Sequence, residues 1–530
     1  MPPSRAPAEA GPSRWRLAAV LFILVVAVFG NAVNGVFVFD DEPSIVNNST
    51  IHGTAPGRWF SPPSNSTTVG RPLANATFAV NHLMSGVQPW SYHVVNILIH
   101  ATAALTLFAV VRRIFRLSAW KGKFGSDESW LAFAAAALWA VHPLQAESVT
   151  YVVQRVESLA GLCCLLAVYC YLGSLDGKRP WIWQVGVVTA CMVGAGVKET
   201  IVAAPLIVLV VDRTWIAGSF AESVRRRPWM YLGLASSWIL LGLLVAGSAN
   251  RSGTAGFGTA SCWLYLLTQC RAVLLYLKLV IWPAPLIFDR GNALVSGVAE
   301  VWLEAVVIAA VGMVSVIAIA KRSSWGVAAF CFFALLAPSS SVVPVMTQTM
   351  AEHRMYLPLA AIVVACVLVV YRWFHRRAFL LFAAICLVWC GLTIRRNSDF
   401  SSNVRLWTDT VEKIPENWRA RNNLALALSD SGRSREAIEH FKRILEHDPG
   451  SVEVRNNFAN ALVRVGRPSD ALTQIDLALA AAPQIAELLD TRGVILLALG
   501  RREEAGQYFK TALKLKPELS EARLHLQQVE

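Results

Sequence analysis

The chain is poor in charge for its length, and the shortage is concentrated in one part of it. Charged residues make up 16% of the 530, as 48 Lys and Arg and 35 Asp and Glu, whereas soluble domains carry about 25%. Of these 83 charges, 37 lie in residues 397–530 and only 46 in the first 396. Apolar residues make up 55% and the mean hydropathy is +0.47. The values exclude a simple water-soluble globule and indicate a long apolar region followed by a short soluble one.

The sequence also lacks the patterns of two other classes of protein. Its ten cysteines include no Cys-x-x-Cys spacing and nearly all lie in or beside apolar segments, which argues against a disulfide scaffold and a zinc site. The net charge is +13, but Lys and Arg cluster in short loops between apolar runs, as in membrane proteins. Because no basic stripe with interleaved aromatic residues occurs, nucleic acid is not expected as a partner.

Apolar runs of about 20 residues, the length that crosses a bilayer as a helix, recur through residues 15–396. They predict an all-α, polytopic membrane bundle of eleven spans. The spans are predicted near residues 16–38, 92–114, 129–146, 150–172, 181–198, 200–217, 229–248, 297–320, 325–345, 355–372 and 378–395. The basic loops all face the cytoplasm if 1–14 is a cytoplasmic tail and 261–287 is re-entrant or lies at the outer interface. The loop 39–91 and the C-terminus then lie outside.

Residues 415–517 repeat with a period of 34. The period appears in three residue types: Pro415, Pro449, Pro483 and Pro517; Gly432, Gly466 and Gly500; and Ala437, Ala471 and Ala505. A helix-turn-helix unit of this length is the tetratricopeptide repeat. Three repeats with 518–530 as a polar capping helix suffice for a stable solenoid, and 397–414 is expected to be a linker helix. The repeats 415–517 are expected to hold a polypeptide, with a purely architectural role as the alternative.

Three consecutive carboxylates, Asp40, Asp41 and Glu42, follow the first predicted span directly. Acidic groups at a helix end in the membrane are costly unless they face water or a site. One interpretation is a solvated helix end. The other is a general base at the membrane surface, helped by the mutual repulsion of neighbouring carboxylates, which pushes their pKa values apart.

Further polar residues fall on the predicted outer face. Four are cations: Arg71, Arg155, Lys198 and Arg354. Four more are His142, Glu147, Glu199 and His353. Lys and Arg are natural partners of phosphate, although any one of them is more often an interfacial side chain that reaches toward water. Their convergence on one face, together with the carboxylates, favours a site.

Several motifs occur in the order found in one family. They are Val38-Phe39-Asp40-Asp41-Glu42, Arg71-Pro72-Leu73, His93-Val94-Val95-Asn96, Val141-His142-Pro143 with Glu147-Ser148, Lys198-Glu199, Glu352-His353-Arg354-Met355-Tyr356-Leu357-Pro358, and Leu406-Trp407 ahead of the repeats. From the first span to the last repeat, the chain resembles the transmembrane-and-tetratricopeptide O-mannosyltransferases and their bacterial relatives, within the GT-C glycosyltransferase class. The family more often has Asp-Asp-His where this chain has Asp40-Asp41-Glu42, and Glu-Arg where it has Glu352-His353-Arg354.

The resemblance implies transfer of a sugar, typically mannose, from a polyprenyl- or dolichyl-phosphate carrier to Ser or Thr of proteins on the outer or lumenal face. Asp40 would be the base or would position the acceptor, with Asp41 as its neighbour or a metal contact. Arg354 is the first choice for the carrier phosphate, supported by Arg155, Lys198 and Arg71. His142, Glu147, Glu199 and His353 would orient these groups or bind sugar hydroxyls. No metal ligands are assigned, and a divalent cation is left open because the class includes members of both kinds.

Two rival functions and two compartments stay open. In the first, the helices serve only to anchor a repeat scaffold for an outer-face complex in the membrane, although one span would suffice for that. A lipid-linked sugar transporter would place charges near the bilayer midplane. The Arg- and Ala-rich composition favours a bacterial inner membrane with periplasmic repeats. The tripeptides beginning at Asn48, Asn65, Asn75 and Asn250 weakly favour the endoplasmic reticulum, with lumenal repeats.

Overall fold

The computed structural model describes residues 13–53, 55–176, 178–248, 260–341 and 343–530. Most of the predicted tail 1–14, and the tripeptide at Asn250, lie outside these ranges. The fold is all-α and divides into two compact units, Met1–Ser401 and Ser402–Glu530. The division falls close to the predicted change from apolar to soluble composition at residue 397.

The first unit is a bundle of apolar helices with one continuous hydrophobic core. Its α-helices are α1 (Arg14–Phe29), α2 (Pro56–Trp59), α3 (Pro72–Ser85), α4 (Trp90–Arg116), α5 (Glu128–Ala140), α6 (Gln145–Thr150), α7 (Arg155–Asp176), α8 (Pro180–Ala195), α9 (Ala203–Asp212), α10 (Phe220–Arg226), α11 (Pro228–Gly247), α12 (Cys262–Ile281), α13 (Val298–Ala320), α14 (Ser324–Leu336), α15 (Pro358–Phe374) and α16 (Ala378–Asp399). Short 3-10 and π-helical turns join several of them. In its described part, the predicted outer loop 39–91 contains the π-helical turn Glu42–Val46, α2, α3 and the first residues of α4.

Eight helical segments of the described chain are long and apolar enough to cross a membrane. They are Arg14–Asn34, Trp90–Arg116, Val152–Asp176, Glu199–Ala217, Pro228–Gly247, Cys262–Ile281, Val298–Ala320 and Pro358–Asp399. The last contains two predicted spans, because α15 and α16 are joined by the short turn His375–Arg377. A polytopic helical membrane bundle is therefore confirmed.

Two predicted spans were too long. Helix α5 ends at Ala140 and α14 ends at Leu336, so each has 13 residues and is about 20 Å long. Both are followed by proline, at Pro143 and Pro338, which cannot continue a helix. The Ala-rich α5 packs against α1, α4, α15 and α16 and is buried inside the bundle.

The segment 261–287 contains α12, a helix of 20 residues that ends where Trp282-Pro283-Ala284-Pro285 begins. Its length and composition allow it to cross a bilayer. Its interfacial or re-entrant placement stays a prediction, as does the sidedness that depends on it.

The second unit confirms the tetratricopeptide prediction. Its helices are α17 (Asn403–Lys413), α18 (Trp418–Asp430), α19 (Ser434–His447), α20 (Val452–Arg464), α21 (Pro468–Ala481), α22 (Ala486–Ala498), α23 (Arg502–Leu515) and α24 (Ser520–Val529). Three helical hairpins lie between the linker helix α17 and the capping helix α24. The turn glycines Gly432, Gly466 and Gly500 all have φ near +80°, a conformation that glycine adopts without strain.

Close packing within the third hairpin gives a direct test of the repeat core. A Cβ on Gly493 of α22 would overlap the ring of Phe509 on α23, whereas a Cβ on Gly506 would meet nothing. We expect Gly493→Val to destabilise the array by about 1–3 kcal/mol through overpacking. Gly506→Ala should stabilise it by roughly 0.5–1 kcal/mol, because Ala loses less backbone entropy in a helix.

The measurement is the temperature at which limited proteolysis begins to cut residues 486–529 of the full-length protein. Equal cleavage temperatures for the two variants would contradict the assigned packing of α22 on α23.

Candidate active site

The acidic loop after the first helix is fixed by Asp41. This side chain is fully buried, and its Oδ2 accepts a hydrogen bond from the amide of Val38 (3.0 Å). Its Oδ1 accepts one from the amide of Val153 (2.7 Å), which lies in the 3-10 turn just before α7. Burial raises the pKa of Asp41 well above its usual range, and the neighbouring carboxylates add to this effect. Asp41 therefore ties the loop to the bundle, and its predicted role as the neighbour of Asp40 or a metal contact stays a prediction.

Asp40 is the half-buried member of the acidic group. Its backbone amide donates to the hydroxyl of Tyr151 (2.9 Å), so its position is fixed through the main chain. The preceding residue, Phe39, has φ = +45°, which is unusual for a bulky side chain. Such strain persists where the surrounding structure imposes it, often at functional sites.

Two buried ion pairs hold predicted cations beside this loop. Arg71 Nη2 lies 3.0 Å from Glu199 Oε2, and Lys198 Nζ lies 2.7 Å from Glu157 Oε1. The segments that carry these cations are also joined through the main chain. The amide of Leu73, two residues after Arg71, donates to the carbonyl of Gly196, two residues before Lys198 (2.9 Å). The structure thus brings together Arg71, Lys198 and Glu199.

Burial lowers the pKa values of both Lys198 and Arg71. The pKa of Lys198 falls to about 8, mainly through burial, with further lowering by Arg71 and Arg354, and Glu157 opposes the shift. The pKa of Arg71 falls to about 10 for the same main reason. Cations are therefore crowded here, and an additional anion would relieve their mutual repulsion.

Arg354 is the third cation of this group. Its guanidinium donates to the carbonyl of Thr349 (3.0 Å) and lines a small cavity with room for about one water molecule. Glu157 and Thr200 line the same cavity, whose remaining wall is apolar. Arg71, Lys198, Arg354, Glu157 and Glu199 are called the cation group below.

A second, apolar cavity of about 160 Å³ adjoins the first. The two share the lining residues Cys164, Leu335 and Leu357. The larger cavity, called the apolar groove, lies between α4, α7, α9, α14 and α15. Along α14 it runs from Leu335 to Trp325, a rise of about 15 Å. A charged cavity therefore continues into a groove lined by hydrocarbon side chains.

His353 and Glu147 form a buried pair near the cation group. The Nδ1 of His353 lies 2.7 Å from Glu147 Oε1. The adjacent Glu352 accepts hydrogen bonds from the amide of Ile287 (2.7 Å) and from Arg290 (3.1 Å). These contacts connect the turn Glu352–Met355 to α6 and to the segment after α12.

Two predicted site residues lie in surroundings that favour a structural role. The guanidinium of Arg155 is fully buried and donates to Asn96 and to the carbonyls of Tyr92 and Thr77. His142 uses both ring nitrogens, one on the carbonyl of Val280 and the other on the amide of Leu144. Because these hydrogen-bonding atoms are occupied by Asn96 and by the main chain, Arg155 and His142 are the weakest of the predicted phosphate and sugar contacts.

Four residues near the predicted ones were not assigned to the site from the sequence. Tyr151 and Glu157 contact Asp40 and Lys198, and the charges of Arg290 and Glu352 act on Glu147 and its neighbours. Glu157 and Glu352 are charged residues at the edges of apolar runs, and that signal was present in the sequence. Tyr151 and Arg290 carry no local signal, because their partners lie 111 and 62 residues away. Among the described residues, no three His, Cys, Asp or Glu side chains come together as a metal site, and the divalent cation stays open.

The fold and site define a polytopic helical membrane protein with a charged cavity and a C-terminal tetratricopeptide array. Residues 395–452, 428–490 and 486–519 match three family models, each described as tetratricopeptide repeat.

The chain is also similar over most of its length to proteins named protein O-mannosyl-transferase. It is 24% identical over 479 residues to F38B6.6 of Caenorhabditis elegans, covering 84% of this chain and 65% of that protein. It is 27% identical over 299 residues to Tmtc2 of Drosophila melanogaster, covering 53% and 31%. It is 35% identical over 159 residues to TMTC1 of Homo sapiens, covering 28% and 17%. The chain thus spans less than two thirds of the length of these curated relatives.

Proposed function

We propose that the protein is an integral membrane glycosyltransferase. It moves a sugar, with mannose as first choice, from a polyprenyl-phosphate carrier to Ser or Thr of proteins on the outer face. The observation that carries this proposal is the continuity of the charged cavity with the apolar groove, since a lipid-linked sugar phosphate needs both surroundings. The names of the similar proteins support the reaction and the acceptor class.

The charge of the cation group suits a donor with a single phosphate. Three cations, Arg71, Lys198 and Arg354, are offset by the carboxylates of Glu157 and Glu199, which leaves one excess positive charge. A carrier phosphate esterified to both lipid and sugar has one negative charge. When the bond from the sugar carbon to the phosphate oxygen breaks, the phosphate keeps the electron pair and gains a second charge. Fixed cations stabilise that developing charge.

The apolar groove would take the first isoprene units of the carrier. Its lining is almost wholly hydrocarbon and sulfur, with Ser324 near the end away from the cation group. Its run of about 15 Å along α14 is half of a hydrocarbon layer of about 30 Å. The remainder of a long chain would leave the groove for the bilayer.

The acceptor hydroxyl must lose its proton as its oxygen bonds to the sugar carbon. Asp40 is the carboxylate assigned to receive it, and Asp41, through Val38 and Val153, keeps the loop in place. Phosphate is a good leaving group, so little acid assistance is required.

The repeats 415–517 would bind the acceptor polypeptide on the same side of the membrane. Side-chain amides lie along adjacent repeat helices, where Asn422 donates to Glu453 and Asn457 donates to Asn422. Such groups suit the main chain of an extended peptide. A bacterial inner membrane with periplasmic repeats is the first choice of compartment, and the endoplasmic reticulum with lumenal repeats is the second.

The test supplies membranes containing the full-length protein with polyprenyl-phosphate mannose labelled in the sugar. Label should pass into protein and be released by treatments that cleave sugars from Ser or Thr. The same sugar on a polyprenyl diphosphate should transfer at least about tenfold more slowly, because its extra charge is unmatched. Movement of labelled lipid across the membrane without label in protein would contradict the proposal and favour a transporter.

A further inference from the structure

The segment that follows α12 is buried although it is not helical. Residues 286–289, called the bridging segment below, are all buried. A buried loop is unusual, because its backbone polar groups need partners away from water. Two of those partners come from one stretch of the chain. The amide of Ile287 donates to Glu352 Oε1 (2.7 Å), and the carbonyl of Phe288 accepts from Gln348 Nε2 (3.4 Å).

The same two partners hold Arg354. The backbone carbonyl of Gln348 accepts a hydrogen bond from Arg354 Nη2 (2.5 Å). Glu352 begins the turn Glu352–Met355, which contains Arg354. Arg290, the residue after the bridging segment, adds a second contact to Glu352 Oε1 (3.1 Å). The main chain of the bridging segment is therefore held against the residues that place the guanidinium of Arg354.

The side chain of Phe288 packs among three aromatic rings. Its ring centroid lies 5.1 Å from that of Tyr151, 6.3 Å from that of Phe39 and 5.7 Å from that of Phe400. The ring planes meet at 68°, 82° and 86° in the same order, and such edge-to-face pairs are favoured by the charge distribution of the rings. Phe288 is only 1% exposed, so its ring is at the centre of an aromatic cluster.

Two rings of this cluster hold the main chain of Asp40. The hydroxyl of Tyr151 accepts the hydrogen bond from the amide of Asp40 (2.9 Å). Phe39 directly precedes Asp40 and has the unusual φ of +45°. A strained conformation of this kind persists only where the surrounding structure imposes it. The ring of Phe288 contacts both residues and thus supports the acidic loop next to Asp40.

We propose that Phe288 is a positioning residue for sugar transfer, because it sets the place of Asp40 relative to Arg354. Its ring packs beside Asp40, while its main chain is tied to the residues that hold Arg354. The inference rests on the proposed function, which assigns the acceptor proton to Asp40 and the carrier phosphate to Arg354. These groups act on opposite sides of one sugar carbon, and misplacement by about 1 Å can lower a rate about a hundredfold.

The experiment compares Phe288→Leu with the wild type in transfer from labelled polyprenyl-phosphate mannose, using membranes that contain the full-length protein. Leu removes the three ring contacts and keeps the main-chain hydrogen bonds of the bridging segment. The kcat should fall at least about tenfold, because Asp40 is no longer held in place. The KM for the donor should change less than about threefold, because the residues that hold Arg354 keep their contacts.

The matched control is Phe382→Leu, the same change at another buried ring. Phe382 lies on α16, is 5% exposed and packs against Phe379 at 6.2 Å between ring centroids. This variant loses a comparable buried ring, but its kcat should stay within about threefold of the wild type. If Phe288→Leu does not fold, Phe288→Met serves instead, because a similar side-chain volume is tolerated better. Its kcat should fall at least about threefold.

Amide hydrogen exchange gives a measurement that does not depend on catalysis. Peptides covering residues 37–46 and 349–356 of the full-length protein report on the acidic loop and on the turn of Arg354. In Phe288→Leu, exchange in residues 37–46 should be at least about fivefold faster than in the wild type, because the loop opens more often. Exchange in residues 349–356 should be unchanged, and Phe382→Leu should match the wild type in both peptides.

The outcomes separate the inference from the proposed function. If the wild type transfers sugar and Phe288→Leu has the kcat of Phe382→Leu, the inference is overturned and the proposed function stands. Faster exchange in both peptides, with a higher KM for the donor, would give Phe288 a role in general packing and would also overturn the inference. A wild type that transfers no label to protein would overturn the proposed function, and the inference with it.

Discussion

Replacing Asp40 with Asn is expected to lower sugar transfer to protein at least about a hundredfold, the smaller end of the contribution of a general base. Asn cannot accept the proton of the acceptor hydroxyl. The main-chain hydrogen bond from Asp40 to Tyr151 is retained, so the loop should keep its conformation. The measurement is the initial rate of transfer from labelled polyprenyl-phosphate mannose, with the donor concentration varied. The KM for the donor should change less than threefold, because the proposed role of Asp40 is to act on the acceptor.

The matched control is Glu42→Gln, the same chemical change at an exposed position two residues along the chain. It should transfer within about threefold of the wild type, since surface substitutions have small effects. Equal losses in the two variants would indicate that the net charge of the loop matters, and not the carboxylate of Asp40. Full activity of Asp40→Asn would remove Asp40 from the reaction.

The second large effect is expected at the buried ion pair of Lys198 and Glu157, whose charged atoms are 2.7 Å apart. Lys198→Met removes one partner and leaves a buried carboxylate, which costs about 3–5 kcal/mol of stability. It also removes the charged contact that we propose for the donor phosphate, so donor affinity should fall about 10- to 100-fold.

The double variant Lys198→Met/Glu157→Gln separates these two losses. Without an unpaired charge, the protein should recover most of its free energy of unfolding, measured by thermal unfolding in detergent. Donor binding should stay weak, because neither replacement carries a positive charge. A double variant that binds polyprenyl phosphate as the wild type does would show that Lys198 serves only to neutralise Glu157.

The repeats were the part of the fold most readily predicted from the sequence, for a physical reason. Each repeat packs mainly against its neighbours, so the residue types that this packing needs recur at a fixed spacing. Ala437, Ala471 and Ala505 are all fully buried where the paired helices approach each other. The helices end at His447, Ala481 and Leu515, each two residues before one of the periodic prolines.

The membrane unit was predicted less completely, because apolar runs give the position of a helix and not its neighbours. Hydropathy alone predicted ends for α5 and α14 that lie beyond their actual ends. The prolines that follow, Pro143 and Pro338, mark those ends more closely. The sequence placed Arg155 and His142 among the site residues, but their side chains are occupied by Asn96 and by the carbonyl of Val280.

The polar contacts of the site could not be predicted from local sequence patterns either. Lys198 and Glu157 are 41 residues apart, and His353 and Glu147 are 206 residues apart. No local pattern pairs them; only the packing of α6, α7 and the turn Glu352–Met355 does. The acidic group after the first span could be predicted, because carboxylates at a helix end in the membrane are costly without a function.

The central claim is that the acidic loop and the acceptor-binding repeats face the same compartment. The most direct test introduces single cysteines at Glu42 and at Glu436, both exposed, and treats sealed, oriented vesicles with a thiol reagent that does not cross membranes. The account predicts that both cysteines react from the outer side and that neither reacts from the cytoplasmic side. Reaction of the two from opposite sides would contradict it, because the repeats could then not present a polypeptide to Asp40.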